Sequence, residues 1–179
     1  SWRHKDGMSY LTMGSLFLDF PGHEEATEFY RDLNIEDATA TTRYKVDGVT
    51  YTRMFASFTD SVIVVRLTTP GHKGKLNFSL RMQDGRQGMT RVDGHTMTIK
   101  GTLDLLSYEA QALLQADGGM VETKSDRLEV KGADAVTVVL TGATNFDLAS
   151  RRTRVEMRTR YTDGYRFGWT RLRGSLTRS

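Results

Sequence analysis

Apolar and polar positions along most of this chain alternate at every second residue. "SLFLDF" (15–20) sets Leu16 and Leu18 on one face and Phe17 and Asp19 on the other. "VTYTRMFASF" (49–58) sets Val49, Tyr51, Arg53, Phe55 and Ser57 against Thr50, Thr52, Met54, Ala56 and Phe58. "KLNFSLRM" (75–82) lines up Leu76, Phe78, Leu80 and Met82. Successive side chains of a strand point to opposite sides, so this period predicts half-buried β-strands. "SVIVVRLTT" (61–69) is instead a continuous run rich in β-branched residues, which predicts a strand buried on both faces. "HTMTIKG" (95–101), "RLEVKG" (127–132) and "AVTVVLTG" (135–142) extend the series.

The punctuation suits strands. Asp-Gly recurs at Asp6-Gly7, Asp47-Gly48, Asp84-Gly85, Asp93-Gly94, Asp117-Gly118 and Asp163-Gly164. Both residues tolerate the positive φ of tight hairpin turns, and "YKVDGVTY" (44–51) and "TRVDGHTM" (90–97) read as hairpins. "LDLLSYEAQALLQAD" (103–117) has helix-forming composition, but Tyr108, Ala110, Ala112, Leu114 and Ala116 share a parity. It is read as a strand, with "DGGMVETKS" as its turn and return strand. Residues 21–46 are read as a polar loop with a helical turn at 22–27, then two strands. The expected fold is all-β, an antiparallel β-sandwich over residues 1–150, with an irregular Arg-rich C-terminal tail over 151–179.

Charge sharpens that division. Residues 1–150 carry 16 Lys/Arg and 20 Asp/Glu, whereas 151–179 carry 9 Arg, no Lys and 2 acids. The net charge of +3 therefore joins a mildly acidic body to a strongly basic tail, and the pI near 9.2 does not describe a basic domain. The absence of cysteine excludes disulfides, thiolate metal sites and cysteine nucleophiles. No apolar run approaches the ~20 residues of a membrane-spanning helix, and no signal-peptide pattern opens the chain.

Candidate chemistry is thin. His4, His23, His72 and His95 lie far apart without ligand spacing, and His23 before Glu24-Glu25 lacks the second histidine of a helical zinc motif. "GHKGKLN" (71–77) lacks phosphate-loop spacing and reads as a polar hairpin connection. "NFS" (77–79) fits a glycosylation sequon, but its place within a strand argues against modification. Glycosidases pair two carboxyl groups across a sugar; Asp19, Glu109, Glu122 and Asp147 are available, and no spacing pairs any two of them. Arg151, Arg152, Arg154, Arg158, Arg160, Arg166, Arg171, Arg173 and Arg178 interleave with Tyr161, Tyr165, Phe167 and Trp169. That combination offers phosphate contacts and stacking to a nucleic acid, or is simply a basic chain end. No catalytic, cofactor-binding or metal residue is assigned.

Several strand texts together carry a resemblance: "MGSLFLDF", "YRDLNIEDA", "GVTYTRMFASF", "VIVVRL" and the later "LSYEAQ…DGGMVETKSDRLEVKGADAVTVVLTGATNFD". Over about residues 9–150 the chain resembles the N-terminal β-domain of family-95 glycoside hydrolases, the 1,2-α-L-fucosidases. The resemblance implies a large supersandwich-like domain, present here in part, because the family's opening strands precede "SYLTMGSLF". It implies a partner too, an (α/α)6 barrel of the same parent protein that carries inverting hydrolysis of terminal α-L-fucose. The family's catalytic residues lie beyond the matched stretch and none transfers to this chain. Export by a bacterium, and use of fucosylated glycans, are likewise implied only by the resemblance. After "TNFD" the sequence leaves the family pattern, and the arginine run reads as an appendix of the kind a shifted reading frame produces.

The expected function is therefore a non-catalytic support domain of a fucosidase-like glycoside hydrolase, inactive alone and without cofactors. Two other readings stand beside it. A free-standing carbohydrate-binding module would stack sugars on exposed aromatics, with Trp2, Tyr30, Tyr44 and Trp169 as candidates, though core packing is the ordinary fate of such residues. Nucleic-acid binding would use the tail. Open strand edges also offer a route to a dimer.

Overall fold

The computed structural model describes residues 14–58, 62–86, 88–103, 106–147 and 152–153. Among them every regular element is a strand: β1 (Ser15–Asp19), β2 (Thr27–Asn34), β3 (Thr39–Val46), β4 (Val49–Phe58), β5 (Val62–Thr68), β6 (Leu76–Gln83), β7 (Met89–Asp93), β8 (Thr96–Leu103), β9 (Leu106–Asp117), β10 (Met120–Thr123), β11 (Arg127–Ala133), β12 (Ala135–Thr144), β13 (Phe146–Asp147) and β14 (Arg152–Thr153). None of these residues forms a helix long and apolar enough to cross a membrane.

Two antiparallel sheets face each other. The larger has the order β2-β3-β4-β5-β12-β9-β8-β7 and the smaller β1-β6-β11-β10. Period two explains the core between them. Leu76, Phe78, Leu80 and Met82 of β6 are all buried, as are Leu128 and Val130 of β11. They meet Val65, Leu67, Met97, Ile99, Ala110, Ala112, Leu114, Val136 and Val138 from the larger sheet. Burying one such leucine stabilises the fold by about 1.5–3 kcal/mol, so this face holds the sandwich together.

The smaller sheet crosses the larger one obliquely. At the start of β6 the Lys75 carbonyl accepts a hydrogen bond from the Tyr51 hydroxyl of β4 at 3.4 Å. Beyond its end, Asp84 accepts one from Tyr108 of β9, 2.9 Å to each carboxylate oxygen. β1 runs the opposite way, from Gly14 beside Ile99 of β8 to Phe20, which lies under Arg53 of β4. Along β4, then, Tyr51 sits under β6 and Arg53 under the end of β1. The next inward residue, Phe55, lies beyond both and is 40% exposed.

Most strand expectations hold, and four local ones change. β5 is not buried on both faces throughout: Val65 and Leu67 are buried, but Ile63 is 43% exposed, and among the described residues β1 is the edge strand of the smaller sheet. β10 is not the return strand of β9, whose two edges are taken by β8 and β12. Gly118 and Gly119, at φ 69° and 67°, turn the chain into the other sheet, where β10 pairs with β11. The 71–77 connection likewise links strands of different sheets and closes no hairpin. Residues 21–25 form turns without a helix, and β2 and β3 follow as a hairpin.

The C-terminal arginines lie outside the described residues except Arg152, whose strand pairs Asp147↔Arg152 across the division expected after residue 150. Trp2, His4 and Trp169 also lie outside them.

Candidate functional site

The densest group of chemically capable side chains gathers where β1 ends over β3 and β4. Asp47 and Gly48, at φ 47° and 78°, close the β3–β4 hairpin and fix its register. That register sets Tyr44 directly opposite Tyr51, with stacked rings 5.5 Å apart. The turns after β1 bring in Phe20 and His23. Phe20 stacks on Phe78 of β6 at 4.8 Å, and His23 meets Tyr51 edge-on at 4.4 Å. Arg53, one inward position beyond Tyr51, lies 4.3 Å from the Phe20 ring centroid and 4.9 Å from that of Tyr44.

A directed hydrogen-bond chain runs through the group. Arg53 Nη2 donates to the Tyr44 hydroxyl at 2.5 Å. That hydroxyl lies 3.0 Å from His23 Nδ1. Since arginine can only donate, the tyrosine proton is free to point at Nδ1 when the neutral imidazole carries its proton on Nε2. Burial lowers the His23 pKa below its ordinary 6.5, and the Arg53 charge lowers it further, against Glu24 and Asp47. Burial raises the Tyr44 phenol, with Arg53 pulling the other way. Burial also raises Tyr51, helped by Tyr44 and Asp47. The cluster is thus a neutral imidazole and two neutral phenols around one fixed cation. Arg53 Nε is buried without a hydrogen-bond partner, and no ion pair among the described residues involves Arg53. Such an assembly offers ring faces and a guanidinium for an anion.

The other sequence candidates scatter. His72 is exposed, with Nδ1 3.2 Å from the Pro70 carbonyl, and His95 is exposed in the β7–β8 turn. Asp19 pairs with Arg81 at 3.0 Å and Glu109 with Lys100 at 3.0 Å. Glu122 is held between Lys131 at 2.7 Å and Lys124 at 2.9 Å, hydrogen bonds that bring its pKa down to about 2. These acids sit on β1, β9 and β10, each with its own basic partner; Asp147 lies in β13. No group of three or more His, Cys, Asp or Glu that could hold a metal occurs among the described residues. Asn77 of the sequon is engaged in the fold, its Oδ1 accepting from Gly132 N at 2.9 Å. Tyr30 is half exposed on the outer face beside Arg43, whereas Tyr44 is buried.

Sequence reasoning passed over Phe20 and Arg53. Their signal was faint: a phenylalanine ending a strand, and an arginine sharing a parity with Tyr51 and Phe55.

Asp19, Glu109 and Glu122 are thus each ion-paired with basic neighbours on separate strands and do not face one another. The family model for "Glycosyl hydrolase family 65, N-terminal domain" matches residues 2–149, and the chain belongs to that family. The resemblance to family 95 therefore holds at the level of a glycoside-hydrolase N-terminal β-domain, while the family shown is 65. Among solved structures the chain is similar to a protein described as a kojibiose phosphorylase from human microbiome, with a TM-score of 0.48 and 8% identity. That similarity covers 87% of this chain and 23% of the other, so this chain spans under a quarter of that structure's length. No curated protein matches.

Proposed function

We propose that this chain is the non-catalytic N-terminal β-sandwich of a glycoside-hydrolase parent, and that it supports a catalytic helical barrel carried elsewhere in that parent. The observation that supports this most is the family match over residues 2–149. The separate placement of Asp19, Glu109 and Glu122, each ion-paired with basic neighbours, agrees with it, since hydrolysis of a glycosidic bond by acid–base chemistry needs two carboxyl groups facing one sugar. At substrate level the fucosidase assignment rests on the sequence resemblance alone. The proposed parental substrate class is accordingly a glycoside, with terminal α-L-fucosides the first to try.

Incubating the purified full chain with a fucosyl-α-1,2-galactoside, and with other α-linked disaccharides, tests the reading. No turnover is expected. Sustained release of monosaccharide by the chain alone contradicts it.

A carbohydrate-binding module is the second reading, favoured by the exposure of Phe29 and Tyr30 on β2. Saturable heat on titration with fucosylated oligosaccharides would move it ahead.

A further inference from the structure

Four Asp-Gly pairs lie among the described residues: Asp47-Gly48, Asp84-Gly85, Asp93-Gly94 and Asp117-Gly118. Glycine has no side chain to shield its amide or to restrict the peptide before it. In this dipeptide the glycine nitrogen can therefore attack the preceding side-chain carboxyl. In a folded chain the attack first requires that side chain and the peptide after it to turn freely. Interactions that hold either one slow the step, because they must open locally before it.

Three of the four are held. Both carboxylate oxygens of buried Asp84 accept from the Tyr108 hydroxyl at 2.9 Å, and Gly88 N donates to the same carboxylate. Asp117 is ion-paired with Arg66 at 2.8 Å, and its carbonyl accepts from Asp134 N at 2.8 Å. The turn after Asp93 is tied from two sides. Its Gly94 carbonyl accepts from Thr123 Oγ1 at 2.8 Å, and its His95 carbonyl from Leu114 N at 2.9 Å. Asp47 differs. It is exposed, and its carboxylate has no hydrogen bond or ion pair among the described residues. Its φ of 47° is a left-handed backbone that costs energy for a residue with a Cβ, and opening the turn relieves it. Among the described residues no turn bond uses Gly48 N, and the space beside Gly48 is open.

We propose that Asp47 is a site of spontaneous covalent modification, isomerising to isoaspartate ahead of the other three. Gly48 N forms a bond to Asp47 Cγ. The bond from Cγ to the hydroxyl of the protonated carboxyl breaks, and that hydroxyl leaves with the amide proton as water. The product is a cyclic succinimide. Water then adds back to the ring. Breaking the bond between Gly48 N and the Asp47 backbone carbonyl carbon leaves isoaspartate, with the chain running through Cγ. Breaking the newer bond restores aspartate. The water lost is regained, so no other reactant is consumed. Isoaspartate lengthens the main chain by a methylene inside the tight turn between Val46 and Val49. The register that sets Tyr44 opposite Tyr51 then loses the turn that fixes it. The inference does not depend on the proposed role in a parent enzyme.

The test ages the full folded chain in warm, mildly acidic buffer beside a sample in denaturant. Peptide mapping with electron-transfer fragmentation locates isoaspartate at each pair. In denaturant the four pairs should convert alike. In the folded chain Asp47 should convert first, ahead of Asp93 and at least roughly tenfold faster than Asp84 and Asp117. D47E, whose side chain is a methylene too long to close the same ring, should stay unmodified at that position. R66Q removes the ion pair of Asp117 from an exposed site, and Asp117 should then convert faster by a similar factor. Isoaspartate arising first at Asp84, Asp93 or Asp117, or at one rate in all four, overturns the proposal. So does the absence of isoaspartate at Asp47 while the denatured sample converts. An unchanged rate at Asp117 in R66Q, with unchanged far-UV circular dichroism, also overturns it, because the order would not then follow from what holds each carboxylate.

Discussion

The guanidinium carbon of Arg53 stands 4.3 Å from the ring centroid of Phe20, joining the larger sheet to the residue that follows β1. This contact marks the limit of the covered core. On one side Tyr51 and Tyr44 are buried; on the other, Phe55 is open. One stacked cation therefore serves both sheets and holds the Tyr44 hydroxyl in place.

His23 should titrate below 6.5 when its ring protons are followed by NMR. Its neutral form is favoured in the folded state, so stability is full at high pH. Stability declines as pH falls below the unfolded value of 6.5 toward the lower folded value. Replacing Arg53 with glutamine should raise the midpoint only in part, because burial is the larger cause. A midpoint at or above 6.5 in the unaltered chain contradicts the packed, hydrogen-bonded placement.

Tyr108→Phe should destabilise the fold by about 1–3 kcal/mol in chemical denaturation. It removes the hydroxyl that both oxygens of buried Asp84 accept and leaves that carboxylate with its bond from Gly88 N. Gly101→Ala should act on the same contact, since a Cβ there would run into the Tyr108 hydroxyl. A neutral outcome for both would mean that Asp84 is not anchored to β9.

Gly119→Ala should cost more than Gly48→Ala. Both have positive φ, a cost of roughly 1–2 kcal/mol for a residue with a Cβ. A Cβ at Gly48 meets nothing within 4 Å, whereas one at Gly119 would run into the Lys131 carbonyl oxygen. Equal losses of stability in the two variants would contradict the path of the chain between the sheets.

Acid should weaken the β10–β11 pair before it reaches the core. Glu122 has its folded pKa lowered from 4.5 to about 2 by Lys131 and Lys124. Its contribution is present above 4.5 and is lost as pH falls toward about 2. Hydrogen exchange at Met120–Thr123 should accelerate through that window, and Glu122→Gln should flatten the response.

The alternation of β6 was legible because both its faces have settled environments, one in the core and one outside. β9 was legible for the same reason, since Tyr108, Ala110, Ala112 and Leu114 share the buried side despite helix-forming composition. The partner of β10 was not legible. Nothing local in "DGGMVETKS" shows that β9 already has two neighbours, or that two left-handed glycines send the chain to the other sheet. The exposure of Ile63 was hidden for a related reason, because local alternation does not show which part of a strand the opposite sheet covers. Phe20, His23, Tyr44 and Arg53 come from three segments, and only the hairpin register and the crossing of β1 bring them together. The strand texts pointed to the N-terminal β-domain of family-95 glycoside hydrolases, and the type of domain holds while the family shown is 65. They did not distinguish family 65 from family 95.

On the proposed function, this domain serves a catalytic partner encoded with it. Sequencing the source gene past the codon for Ser179 tests that most directly. Coding sequence for a helical catalytic domain is expected downstream, in this reading frame or a neighbouring one. A gene that ends there with nothing barrel-like following would contradict it and leave the domain to act alone.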